Sequence, residues 1–163
     1  MAIQWLRSLI FIIQMYVMML LMGVVCFIPS LLSRNMAIRS MKLYCWWVRW
    51  TLSWMVGLTT EVRGTVPEGN VIVASKHQSF LDIIMLMGSL PSGKFIMKRE
   101  LMFAPILGQY AWRIGCVPVN RGKRGKAIKK MADDVKRGSV HPGQLIIYPQ
   151  GTRVAPGADK PYK

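Results

Sequence analysis

Residues 9–28 form an apolar run broken only by Gln14, with Tyr16 and Gly23 tolerated within it, and no charged residue lies between Ser8 and Ser33. Taken as a helix, that run is long enough to cross roughly 30 Å of hydrocarbon. It exceeds the usual core of a secretory signal, and Pro29-Ser30-Leu31-Leu32 offers no small-x-small cleavage site, so it reads as a retained segment. Arg34, Arg39 and Lys42 follow closely, the placement of cations that stay cytoplasmic beside anionic headgroups. Over residues 39–58 the period becomes helical and two-sided. Leu43, Trp47, Trp50, Trp54 and Leu58 recur at three- and four-residue steps, while Arg39, Lys42, Arg49 and Ser53 stripe another side. With Trp46 there are four Trp in nine residues, a density that suits the headgroup boundary, where an indole is apolar yet keeps an N–H to satisfy. A helical hairpin and a full span followed by a surface helix both accommodate the two segments; packing of the second helix on a globular domain is the plainer alternative.

Beyond residue 58 the pattern turns to short apolar runs separated by helical ones. Residues 61–64 read as a short strand, Pro67-Glu68-Gly69-Asn70 as a turn, and residues 71–74 as a buried strand. Residues 79–87 predict a helix, 94–97 a strand, 100–110 a helix interrupted or bent at Pro105, and 116–119 a strand despite Pro118. Residues 123–136 predict a clearer helix, with Ala127, Ile128, Met131 and Val135 on one side, and residues 145–148 the last strand. Strands alternating with helices indicate an α/β layer domain, in which sites form where strand ends meet helix starts. The expected organisation is a membrane-anchoring helical module over residues 1–58, followed by this α/β part over 59–163.

Composition narrows the function classes. The chain has 163 residues, 52% hydrophobic and 18% charged, which excludes a disordered tail. Cys26, Cys45 and Cys116 form no spaced framework, and with only two His they leave a structural zinc site without ligands. Twenty-two Lys and Arg against seven Asp and Glu give a net charge of +15, which suits nucleic acid, anionic lipid or a phosphorylated substrate. The aromatic residues sit beside the apolar run rather than among the Lys-rich residues 123–136, which argues against nucleic acid.

The chemistry-bearing residues collect at predicted strand exits. His77 follows the 71–74 strand, and Asp82 lies five positions on. Within one helix those positions would stand about 140° apart. With Ser79 near the helix start, the chain bend instead brings the carboxylate back to the imidazole. Such a pair fixes the tautomer and leaves the other ring nitrogen to take a proton from a hydroxyl. No Ser or Cys stands out as a nucleophile, so the simplest use is activation of a substrate hydroxyl for attack on an activated acyl group. A histidine that merely bridges a loop is the alternative. Arg121 follows the 116–119 strand, and Gly151-Thr152-Arg153 follows the 145–148 strand; guanidinium forks and Gly backbone suit a phosphate dianion, and a solvated surface charge is the alternative for each Arg. Lys98-Arg99-Glu100-Leu101 follows a further strand, with Glu100 favourably placed at a helix start. His141, beside Pro142, reads as an exposed turn residue.

His77-Gln78-Ser79-Phe80-Leu81-Asp82 resembles the HxxxxD signature of the glycerolipid acyltransferases, nearest to the bacterial 1-acylglycerol-3-phosphate acyltransferases. Gly115-Cys116-Val117-Pro118-Val119-Asn120-Arg121 resembles that family's second block, and Tyr148-Pro149-Gln150-Gly151-Thr152-Arg153 its third, with Gln150 in place of the usual Glu. The resemblance implies that His77 is the general base and Asp82 its orienting partner. It implies that Arg121, Gly151, Thr152 and Arg153 bind the acceptor phosphate, with Gln150, Lys98 and Glu100 in support. It further implies transfer of a fatty acyl group from acyl-acyl-carrier-protein or acyl-CoA, as co-substrate and with no cofactor or metal, to a lysophospholipid, giving phosphatidic acid. The implied setting is the cytoplasmic (inner) membrane, with the catalytic part facing the cytoplasm. Gln150 leaves open another acceptor, such as lyso-ornithine lipid. Family members continue past the third block to a fourth, Pro-containing block near the acyl-donor site. The expectation is therefore a C-terminally truncated member with an incomplete sheet, which leaves open an inactive remnant acting only as a membrane-binding module.

Overall fold

The computed structural model describes residues 1–119 and 142–162. The apolar run becomes helix α1 (Ala2–Val25), a short helix α2 (Phe27–Leu32) turns the corner, and α3 (Arg34–Met55) returns along α1. Hydrogen bonds join early residues of α1 to late residues of α3, so the pair is an antiparallel hairpin. Gln4 Nε2 donates to the Val56 carbonyl at 3.0 Å, and the Arg7 guanidinium to the Trp54 carbonyl at 3.3 Å. Gln14, the polar break in the run, donates to Thr51 Oγ1 at 3.0 Å and accepts from Trp47 Nε1 at 3.0 Å. An unpaired amide between apolar helices would be costly; here both ends of the amide have partners.

Of these helices, α1 alone among the described residues is long and apolar enough to cross a membrane, and most of its surface is uncovered. Helix α3 has two working faces. Ala37, Ile38, Cys45, Val48 and Leu52, at helical spacing, are buried, while Trp46, Trp50 and Trp54 remain 46–58% exposed. The buried face joins a core continuous with the α/β part. The two parts approach closely at Gly88, where an added Cβ would stand 3.2 Å from Cys45 Cβ. Trp47, expected on the exposed aromatic face, turns inward to Gln14.

The α/β part is a four-stranded parallel sheet in the order β1-β4-β2-β3, with β1 at Ile72–Ala74, β2 at Lys94–Lys98, β3 at Val117–Val119 and β4 at Leu145–Ile147. Val73 pairs with Ile146, and Ile146 with Phe95, so these three form one row on one face of the sheet. Ile146, fully buried, and Phe95 belong to the same core cluster as α3. Helices α4 (Leu81–Ser89) and α5 (Leu107–Ile114) complete the packing.

Two elements differ from expectation. Residues 61–64 form no strand: Val62 is their sole apolar side chain, Arg63 pairs with Glu61 at 2.8 Å in solvent, and no ladder partner lies alongside. Strand β1 is not buried. It lies at the sheet edge with Ile72 65% exposed. The helix expected over 100–110, interrupted or bent at Pro105, is interrupted there: a 3-10 turn (Arg99–Phe103) precedes α5. Pro105 lacks an N–H and holds Ala104 extended at φ −67°, ψ 128°, which stops helix propagation. Gly115 closes α5 in the left-handed conformation at φ 87°, where a side chain is disfavoured. The helix expected over 123–136, together with Arg121 and His141, lies outside the described residues.

Candidate active site

Because all four strands are parallel, their C-terminal ends share one rim. The segment after β1 carries His77, the one after β2 carries Lys98 and Glu100, and the one after β4 carries residues 148–153. Strand β3 reaches the same rim at Val119, and Arg121, two residues further on, lies outside the described residues. Strands β1 and β4 are neighbours, so His77 and Gly151-Thr152-Arg153 leave the sheet side by side. Two backbone bonds stitch the exits together: Ser75 N to Ile147 O at 3.0 Å, and Val154 N to His77 O at 2.8 Å.

Asp82 sits in the first turn of α4 and reaches back over the helix start. Its Oδ2 accepts from the backbone N–H groups of Gln78, at 2.7 Å, and Ser79, at 2.9 Å. Ser79 Oγ accepts from Leu81 N at 3.0 Å, so the serine is occupied in fixing the turn. The result is the bend the spacing predicts: His77 Nδ1 lies 3.0 Å from Asp82 Oδ1 and 3.1 Å from Oδ2. An ionised carboxylate accepts only, so Nδ1 carries the hydrogen and Nε2 keeps its lone pair. Burial raises the Asp82 pKa, but the Ser79 and Gln78 N–H groups and His77 outweigh it and hold the carboxyl below its ordinary value.

Tyr148 completes the constellation, and the sequence reading gave it no role. Its hydroxyl donates to Asp82 Oδ1 at 3.2 Å, and its ring stacks on His77 with centroids 4.1 Å apart and planes 20° apart. The signal available was strand alternation: Tyr148 is two positions beyond Ile146 and so continues the core-facing row. Burial first, then the Asp82 charge, pushes the phenol pKa far up, so it remains a donor at any working pH.

The remaining candidates are placed as follows. Tyr148 O accepts from Gly151 N at 2.8 Å, closing a turn in which Gly151 takes φ 66°. Thr152 is half-buried, and Arg153 is exposed with no side-chain partner among the described residues. Gln150 is 5% exposed; its Nε2 donates to the Lys160 carbonyl at 3.3 Å, and its Oε1 has no partner among the described residues. Lys98 and Glu100 are exposed and make no hydrogen bond to His77 or Asp82. Cys116 is unsuited to nucleophilic work: burial pushes its thiol up to about 11, and its sulfur accepts from Phe95 N at 3.3 Å. Among the described residues, no three His, Cys, Asp or Glu side chains gather around a common point. Among the described residues, the rim thus offers an oriented imidazole with no hydrogen bond at Nε2, no side-chain nucleophile beside it, and a Gly-Thr-Arg turn next to it.

Residues 59–163 match the family described as Acyltransferase. The chain is 32% identical over 116 residues to human 1-acyl-sn-glycerol-3-phosphate acyltransferase alpha, covering 69% of this chain and 41% of that protein. It is 28% identical over 116 residues to the 1-acyl-sn-glycerol-3-phosphate acyltransferase of Pseudomonas aeruginosa, covering 70% of this chain and 45% of that one. The chain therefore spans less than half the length of these relatives. The crystal structure of the 1-acyl-sn-glycerophosphate acyltransferase from Thermotoga maritima superposes with a TM-score of 0.68 at 21% identity, over 93% of this chain and 64% of that one. At that identity the likeness is one of fold.

Proposed function

The chain belongs to the acyltransferase family, and on that premise we propose that it moves a fatty acyl group from acyl-acyl-carrier-protein or acyl-CoA to the free hydroxyl of 1-acylglycerol-3-phosphate, giving phosphatidic acid. His77 Nε2 takes the hydroxyl proton as the oxygen attacks the thioester carbonyl. The O–C bond forms, the C–S bond breaks, and the departing thiolate takes its proton from the imidazolium. Asp82 holds the tautomer and stabilises the imidazolium. Arg121, Gly151, Thr152 and Arg153 bind the acceptor phosphate and so place the hydroxyl, with Lys98 and Glu100 in support at the rim. Residues 1–58 anchor the chain in the cytoplasmic (inner) membrane, where the acyl tails are, and residues 59–163 carry the catalytic residues on the cytoplasmic side.

The observation that carries this reading is the 3.0 Å contact between His77 Nδ1 and Asp82, with Nε2 unpartnered among the described residues, on the rim that also holds Gly151-Thr152-Arg153. The test is acyl transfer to lysophosphatidic acid in vesicles by the wild-type chain and by His77→Ala. The variant is expected to lose transfer while staying membrane-bound; retained transfer rejects the role of His77.

A second reading keeps the chemistry and changes the acceptor to another lysolipid, such as lyso-ornithine lipid. Gln150 favours it, being uncharged and buried with a free acceptor oxygen beside the phosphate-binding turn. A panel of lysolipid acceptors, with products resolved by mass, separates the two.

A further inference from the structure

We propose that Tyr148 is a positioning residue for the His77–Asp82 pair, its ring fixing the plane of the imidazole and its hydroxyl fixing the carboxylate. The inference deepens the acyl-transfer reading and rests on it for the meaning of turnover, though not for the geometry.

The imidazole needs two constraints before Nε2 can point in one direction. The Asp82 bond constrains only one edge of the ring, and rotation about the line from Nδ1 to the carboxylate remains free. A flat neighbour against the ring face removes that freedom, and Tyr148 supplies it at 4.1 Å and 20°. Tyr148 is in turn held from below, stacked on Phe95 with centroids 6.2 Å apart and planes at 18°. Phe95 belongs to the Val73–Ile146–Phe95 row of the sheet. Three rings in sequence therefore transmit the position of the buried sheet to the rim.

The carboxylate has a matching requirement. Two backbone N–H groups hold Oδ2, whereas Oδ1, the oxygen nearer to Nδ1, has one further donor, the Tyr148 hydroxyl at 3.2 Å. Without that donor Oδ1 retains only the imidazole, and the carboxylate is free to twist about its Oδ2 contacts. One side chain thus touches both members of the pair and fixes their mutual orientation. It acts through His77 and Asp82.

Two variants separate the contributions: Tyr148→Phe keeps the ring and removes the hydroxyl, and Tyr148→Leu removes both. In vesicle-bound enzyme, Tyr148→Phe is expected to lower kcat about 3–10-fold and Tyr148→Leu about 100-fold, with the acceptor KM within about twofold of wild type in both. The readout independent of activity is 15N NMR of the imidazoles in micelles, with His77 assigned through His141→Gln. Wild type is expected to show one tautomer, protonated at Nδ1, and Tyr148→Leu a mixture. Wild-type kcat in both variants, or a fall matched by loss of folded protein, overturns the proposal, as does a single Nδ1-protonated tautomer in Tyr148→Leu. Absence of acyl transfer by the wild-type chain would instead remove the acyl-transfer reading, and the tautomer measurement would still decide the role of Tyr148.

Discussion

The rim turn after β1 and the α1–α3 hairpin both depend on a few polar contacts, but they distribute them differently. At the rim, Gln78 N, Ser79 N, His77 Nδ1 and the Tyr148 hydroxyl all converge on the one carboxylate of Asp82. In the hairpin, Gln4, Arg7, Gln14 and Tyr44 each bridge to the facing helix separately, spread along its length. Convergence defines the direction of a single nitrogen, so one lost contact there changes chemistry. Dispersal fixes only the alignment of two helices, so one lost contact there changes stability by a fraction and leaves chemistry alone.

The largest effect should follow from the point of convergence itself. His77→Ala should lower acyl transfer by about 10²–10⁴-fold, the range of general acid–base catalysis, with vesicle co-sedimentation intact. Asp82→Asn comes next. It keeps the shape but removes the charge that selects the tautomer, and turnover should fall about 100-fold with little change in the acceptor KM.

Asp82 also links the rim to pH. Its folded pKa lies below the ordinary value, so the unfolded chain binds the proton more readily as pH falls. Its stabilising contribution is thus complete above the ordinary carboxylate pKa of about 4 and is lost as pH drops through the lower folded pKa. Thermal unfolding in micelles from pH 7 to 3 should show that acid loss in wild type and a shallower one in Asp82→Asn.

The hairpin should behave in the opposite sense. Gln14→Leu removes the acceptor of Trp47 Nε1 and one partner of Thr51 Oγ1 and should destabilise by about 1–2 kcal/mol in the same unfolding assay, with kcat per folded molecule unchanged. Replacing the exposed Trp46, Trp50 and Trp54 by Ala should be the mildest change to the fold, under about 0.5 kcal/mol each. It should weaken binding to vesicles measurably, since indoles favour the headgroup boundary. A loss of kcat per folded molecule in Gln14→Leu would break the distinction between the two regions.

What the sequence made legible follows the same division. The His77–Asp82 contact was readable because it is local: a strand end, a Ser near a helix start and a carboxylate in the first turn dictate the bend between them. The alternation of strands and helices was equally local, and so were β2, β4 and the start of α4. Properties set by distant partners were not readable. Residues 61–64 lack a neighbouring strand, and β1 is exposed because it lies at an edge; neither fact is written in its own residues. Trp47 looked like part of the exposed aromatic face until Gln14, on another helix, gave its N–H an acceptor. Tyr148 meets His77 only through the β1–β4 pairing. Pro105 signalled the interruption correctly, because its missing N–H and the extended backbone it imposes on Ala104 are local.

The most direct test of the central claim, that His77 and Asp82 act as one unit, is a double-mutant cycle on acyl-transfer turnover. His77→Ala, Asp82→Asn and the double variant would be assayed side by side in vesicles, each normalised to folded protein. If Asp82 works only through His77, the double variant is no slower than His77→Ala alone. Losses that multiply, with the double variant slower by the full Asp82→Asn factor, would contradict the account.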